Sequence, residues 1–308
     1  MGATTTMKKC ALALLCGSAL ISAASAADLG PAPMLSAPAA ARSWTGLYGG
    51  VNVGYGFGAG GRDEGGQTSY ANDSPGNVFP FDTETRGTGG PAWNRSADLS
   101  GVIGGIQFGY NYQLNPWLVA GFETDFQGSA LSGNASATQT TAIQLTPFPA
   151  GGGNWWPLTG NASASQNVDW YGTVRGRLGV TSFNQSLLVY ATGGLAYGQV
   201  RQDFSYSGAF LPVASLGFGG SHWSGSASST ETQVGWALGG GLEWAPVSMP
   251  NWSFKAEYLY VDLGSTTVNL SAAAFRNSDG EGFRTVNASN AMDARFQTVR
   301  VGINYHFN

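Results

Sequence analysis

The last thirteen residues, "FQTVRVGINYHFN" (296–308), alternate apolar and polar side chains with a period of two. Val299, Val301, Ile303, Tyr305 and Phe307 fall on one face of an extended strand, and Arg300, Asn304 and His306 on the other. Seven further stretches share the pattern: 46–57, 99–112, 117–128, 168–181, 187–200, 232–244 and 252–264; with 295–307 they make eight predicted strands. In the 232–244 stretch Val234, Trp236, Leu238, Leu242 and Trp244 share one face. Gln233, Gly235, Ala237, Gly239, Gly241 and Glu243 share the other.

The connections alternate as strictly as the side chains. "QLNP", "SFNQS" and "APVSMPN" are short and rich in turn-forming residues. The remaining four run to about 40, 39, 31 and 30 residues and are rich in Gly, Ser, Asn and Thr. An up-and-down barrel therefore carries every long loop at one end, and every tight turn with both termini at the other. That layout predicts an all-β chain: an eight-stranded antiparallel transmembrane β-barrel with four long extracellular loops. The segment "FSYSGAFLPV" (204–213) leaves two options open, an extension of the fifth strand or an extra hairpin that raises the count to ten.

A soluble lipocalin-type barrel also alternates. Three features count against it. Aromatics gather near strand ends, as interfacial girdles require: Trp44, Tyr48, Tyr55, Trp117, Trp170, Trp236, Trp244, Trp252, Tyr258, Tyr260 and Tyr305. The opposite face carries charge in mid-strand, at Glu123, Asp125, Arg175, Arg177, Glu243, Lys255, Glu257 and Arg300. The last strand also ends almost on an aromatic. The apolar face then meets lipid and the charged face the lumen.

Composition agrees. Only 10% of residues are charged, 47 of 308 are glycine, and 12% are aromatic. The start reads as a secretory signal: Lys8 and Lys9, an apolar run from Cys10 to Ile21, then Ala24-Ser25-Ala26 for cleavage. That run is too short to span a bilayer. Met7 is an alternative start. Residues 1–26 are thus expected as signal peptide, 27–43 as a Pro/Ala-rich periplasmic linker and 44–308 as the barrel. Cleavage removes Cys10 and Cys16 and leaves twelve cationic against eighteen acidic side chains, a formal −6 with Lys255 the only lysine. No nucleic-acid footprint is present.

The segments "SWTGLYGGVNVGYGFG" (43–58), "WSFKAEYLYVDLG" (252–264) and "VRVGINYHF" (299–307) resemble the small alphaproteobacterial outer-membrane β-barrels called outer-membrane immunogenic or porin-family proteins, relatives of the OmpA-like transmembrane domain. Members usually end on the aromatic, whereas here Asn308 follows Phe307. The resemblance implies location in the Gram-negative outer membrane and a role in envelope structure or surface contact. It sometimes implies small-solute passage or haem-related binding.

The candidate chemistry is sparse. Glu123 and Asp125 face Arg175 and Arg177 across neighbouring strands, and Lys255 and Glu257 face Arg300. With Glu243 these eight charges suit either an ion-filtering constriction or a structural plug, and the narrow interior of an eight-stranded barrel favours the plug. "GFGAGG" (56–61) matches a nucleotide-binding glycine pattern, but a loop-forming stretch follows it instead of a helix. Catalysis would need a base, and only His222 and His306 exist, so no enzyme, cofactor or metal site is expected. Loop contacts fall to Phe148, Trp155, Trp156, His222 and Trp223, with His222 a candidate haem ligand, although rings resting on the barrel rim explain them more simply. Expected partners are outer-membrane lipid and lipopolysaccharide and the barrel-assembly machinery.

The exported chain should begin at Ala27 and carry no thiol. Intact-mass measurement and maleimide labelling of the outer-membrane form check this. Retained Cys10 and Cys16 would contradict it.

Overall fold

The computed structural model describes residues 42–60, 63–73, 86–87, 92–95, 98–144, 155–182, 185–210, 221–276 and 283–307. The signal and nearly all of the linker lie outside them. Among the described residues eleven strands form: β1 (Gly46–Gly58), β2 (Asp63–Asp73), β3 (Arg86–Gly87), β4 (Ala92–Arg95), β5 (Gly101–Asn115) and β6 (Leu118–Gln144), then β7 (Trp155–Ser182), β8 (Leu187–Phe210), β9 (Ser221–Trp244), β10 (Trp252–Arg276) and β11 (Phe283–His306).

Eight of them close a ring, β1-β5-β6-β7-β8-β9-β10-β11, sealed by antiparallel pairing of β1 with β11 from Tyr48↔His306 to Gly58↔Phe296. Closure leaves no edge within the apolar band, which hydrocarbon demands of every backbone amide and carbonyl. Residues 204–210 continue β8, so the ring has eight strands and not ten.

The tight turns are built locally. Asn115 Oδ1 accepts the amides of Trp117 (3.0 Å) and Leu118 (2.9 Å), which folds the chain back around Pro116. Gln185 adopts φ of 65°, a conformation costly for a side chain with a Cβ. Its carbonyl accepts the indole N–H of Trp44 at 2.8 Å, which ties this turn to the chain entering β1.

Side-chain parity separates lipid from lumen. Val299, Val301, Ile303, Tyr305 and Phe307 are exposed, while Arg300, Asn304 and His306 are buried. On β9, Val234, Trp236, Leu238, Leu242 and Trp244 are exposed, and Ala237 and Glu243 are buried. Ring pairs line the outer surface: Trp236 stacks on Tyr260 at 5.2 Å, Trp244 on Phe254 at 5.9 Å and Phe126 on Trp170 at 5.5 Å. Two of the expected girdle aromatics do not belong there. Trp44 and Tyr48 are 0% and 1% exposed and point into the lumen. Tyr48 lies seven residues from the lipid-facing Tyr55, an odd separation that puts the two rings on opposite faces.

Much of the expected loop sequence is strand. β6 continues to Gln144 and β7 begins at Trp155, paired in register as far as Gln144↔Trp155. The first long connection holds β2, which pairs with β11, and the short β3 and β4, which pair with β2. Above the membrane the wall divides. β9 and β10 do not pair between Asp262 and Ala274, and they rejoin at Ala274↔Trp223. One side of this gap is the β6–β9 sheet and the other is β10–β11–β2. Inward residues on both sides are buried at Phe204 and Tyr206 on β8, Leu270 on β10 and Met292 on β11.

A charge on the lipid face near mid-band should cost far more than one above it. Leu238→Arg is expected to lower the unfolding free energy in phospholipid by about 2–4 kcal/mol. Asn269→Arg, on the outward face of β10 beyond the band, should change it by less than about 0.5 kcal/mol. Denaturant titration of the refolded variants measures both, and equal costs would contradict the assigned band.

Candidate functional site

The lumen is filled in layers. At the periplasmic end Trp44, Val119, Leu188, Tyr190 and Ala245 form an apolar cluster. Toward the surface a larger one holds Ile103, Leu131, Tyr171, Leu259, Leu263 and Phe296, among others. The order is written along β10, where the inward residues run Ser253, Lys255, Glu257, Leu259, Val261, Leu263. Charge thus lies between two apolar layers.

The charged layer brings together all eight expected interior residues: Glu123 and Asp125 on β6, Arg175 and Arg177 on β7, Glu243 on β9, Lys255 and Glu257 on β10 and Arg300 on β11. Each is 5% exposed or less. Four carboxylates meet four cations, so the layer is formally neutral. Arg175 is its hub. It donates to Glu123 at 2.7 Å, Asp125 at 2.9 Å and Glu257 at 3.2 Å, while its Nε donates to Thr173 at 2.8 Å. Arg300 spans Glu257 and Asp125, each at 2.7 Å. Lys255 donates to Glu123 at 2.6 Å, and Arg177 to Glu243 at 2.7 Å.

Neighbouring strands supply the Arg175–Glu123 and Arg300–Glu257 contacts, as strand order alone implies. The contacts of Lys255 with Glu123, Arg300 with Asp125 and Arg177 with Glu243 cross the lumen instead. Burying this many ions is costly unless each finds opposite charge and hydrogen bonds. The chords across the barrel provide them.

Neutral groups complete the network, Asn304 from the face expected of it and Tyr48, Tyr190 and Gln107 unforeseen there. The Tyr48 hydroxyl accepts from Arg177 at 2.7 Å and donates to Glu123 at 2.8 Å. Tyr190 donates to Glu257 at 2.9 Å, and its ring lies 4.0 Å beneath the Arg177 guanidinium. Gln107 donates to Asn304 at 2.5 Å, and Asn304 to Glu243 at 2.8 Å. Every strand of the ring contributes at least one group. The signal that could have found Tyr48 is parity, since it shares a face with Asn52 and not with Tyr55.

Both tyrosines lie over glycine. A Cβ at Gly109 would strike the Tyr48 phenol, and one at Gly241 would fall 2.6 Å from the Tyr190 oxygen. These two positions need glycine because a ring occupies the space of a side chain.

Ser253, His306 and Glu243 also meet, but not as a hydrolytic triad. Ser253 donates its proton to Glu243 at 2.6 Å, and His306 Nε2 contacts the same hydroxyl at 2.9 Å. A triad needs the carboxylate on the other ring nitrogen. Here Glu243 approaches the same Nε2, at 3.4 Å, and all three side chains are fully buried. The arrangement packs the periplasmic end.

Of the expected loop contacts, Phe148 lies outside the described residues, as do the side chains of Trp155, Trp156, His222 and Trp223. The backbones of those four belong to β7 and β9. Among the described residues no group of three His, Cys, Asp or Glu is placed to hold a metal ion.

Comparison with known proteins follows the same lines. Residues 13–307 match the family model of the outer membrane protein beta-barrel domain. The 31 kDa outer-membrane immunogenic proteins of Brucella melitensis biotype 1 and Brucella suis biovar 1 are each 35% identical over 277 residues, covering 90% of this chain and 89% of theirs. Among solved structures, Ail of Yersinia pestis is similar at 13% identity and a TM-score of 0.27, over 80% of this chain and 99% of its own. OprG of Pseudomonas aeruginosa is similar at 12% identity and a TM-score of 0.33, over 86% and 98%. The chain belongs to the outer-membrane protein β-barrel family, and its place is the Gram-negative outer membrane.

Proposed function

We propose that this barrel is a closed, non-enzymatic structural protein of the outer membrane, presenting an extended β surface outside the cell. One observation carries the reading: a neutral network of four acids and four bases, bounded by two apolar layers, takes partners from every strand of the ring. A solute pathway needs a water-filled lumen at that depth, with its charges free to exchange partners with a passing ion. Here each of the four cations is paired with at least one carboxylate, at 2.6–3.4 Å. On this reading the partners of the protein are the lipid and lipopolysaccharide around it, and the assembly machinery that inserts it.

The relatives called immunogenic fit a chain whose extracellular strands rise well above the lipid. Beyond the Phe126–Trp170 ring pair on the lipid face, β6 runs a further 17 residues from Gly128 to Gln144 and β7 another 15 from Trp155 to Asp169. The pairing of the lumen charges supports a closed barrel over ion conduction.

Planar-bilayer recording of the refolded mature chain tests the proposal. No reproducible open steps are expected. Steps whose size changes in Arg175→Ala would overturn it and establish the narrow-channel alternative.

A further inference from the structure

The four residues ahead of β1, 42–45, lie outside the ring yet reach all three tight turns at its periplasmic end. The Trp44 amide donates to Gln113 Oε1 at 3.0 Å. Gln113 in turn donates its own amide to Thr45 Oγ1 at 3.0 Å and its side-chain Nε2 to the Pro116 carbonyl at 3.3 Å. The Trp44 indole N–H donates to the Gln185 carbonyl at 2.8 Å. Arg42 donates to the Pro250 carbonyl, and its guanidinium lies over the Trp44 ring at 5.1 Å. The three turns belong to three different hairpins, β5–β6, β7–β8 and β9–β10.

The same segment forms the floor of the lumen. Trp44 is fully buried with Val119, Leu188, Tyr190 and Ala245, and meets the His306 ring edge-on at 5.7 Å. Tyr48 covers another side of that ring at 5.6 Å. His306, Ser253 and Glu243 are all fully buried, and His306 Nδ1 has no hydrogen-bond partner in the protein. Trp44 is bonded to the turns on one side and touches the imidazole on the other, so it stands between His306 and the mouth.

We propose that residues 42–45 are a strap that docks only on a finished barrel, locks it against unfolding and seals His306 from the periplasm. Its partners lie 69, 141 and 208 residues away along the chain. One four-residue segment reaches all of them only when the three hairpins already stand side by side. Closing loops of that length earlier carries an entropy cost that a few hydrogen bonds do not offset. The strap is therefore the last contact to form and the first to be lost. Contacts missing from the folding transition state slow unfolding and leave the folding rate unchanged. The strap's hydrogen bonds end on the turns, outside the charged layer, so the lock holds for a silent barrel and a conducting one alike. The conductance test and the test below fail independently.

Trp44→Ala in the refolded mature chain, held in phospholipid vesicles, tests both parts. Unfolding in denaturant, followed by loss of the fast-migrating band on unheated gels, should speed up about tenfold or more, with refolding changed by less than about twofold. Diethyl pyrocarbonate, with peptide mass analysis to locate the adduct, reads the seal. His306 should resist modification in the native chain and in Trp117→Ala, whose ring is exposed on the outer face at the same end. It should react in Trp44→Ala. Gln113→Ala, which removes the acceptor of the Trp44 amide at the mouth, repeats both readings if Trp44→Ala does not refold. Refolding slowed as much as unfolding is hastened, an unchanged unfolding rate, or His306 equally reactive in native and variant chains would each overturn the proposal.

Discussion

A closed ring of eight strands turns every second side chain into a space too narrow for a second layer of structure, and those side chains must fill it and neutralise one another. The rest of the molecule follows from this constraint. Arg175 touches three carboxylates on two strands, and without its charge four buried carboxylates would share three cations. Glycine at 109 and 241 follows too, since the phenols of Tyr48 and Tyr190 need the room that a Cβ would take. The apolar layers above and below keep water from the ions, which strengthens each ion pair and makes each missing partner more costly.

The outer face answers to two solvents in sequence. Within the band it is branched aliphatic and aromatic, and its ring pairs face lipid. Above the band the same strands continue without a break, but their outward residues become Ser, Thr and Asn. Cross-strand pairs such as Thr138 with Asn161 (2.8 Å) and Thr140 with Thr159 (2.9 Å) satisfy them. The β8–β9 ladder, unbroken from Leu187↔Trp244 to Phe210↔Ser221, crosses from hydrocarbon to water with only its side chains changing.

Strand number, order and facing were legible in the sequence because side-chain period and loop length are local properties. The charged positions were legible for the same reason, since a charge in mid-strand on the alternate face has few other places to go. Their partners were less so. Lys255 and Glu123 are 132 residues apart and meet across the lumen, a distance that strand adjacency cannot express. Tyr48 and Trp44 were misplaced because residue type was weighed above parity. The long extensions of β6 and β7 were read as loop because Ala alternating with Ser, as in Asn161–Gln166, has little hydrophobic contrast although its period is two.

The lumen charges act as one network, and a double-mutant cycle on a pair that crosses the lumen measures that most directly. Arg300→Met and Asp125→Asn, unfolded by denaturant in the same lipid, should each destabilise the barrel by about 3–5 kcal/mol because each strands a buried charge. The double variant should cost less than the sum by about 1–3 kcal/mol. Additive costs, or single variants as stable as the native chain, would mean that the charges sit in water and that the lumen is not filled.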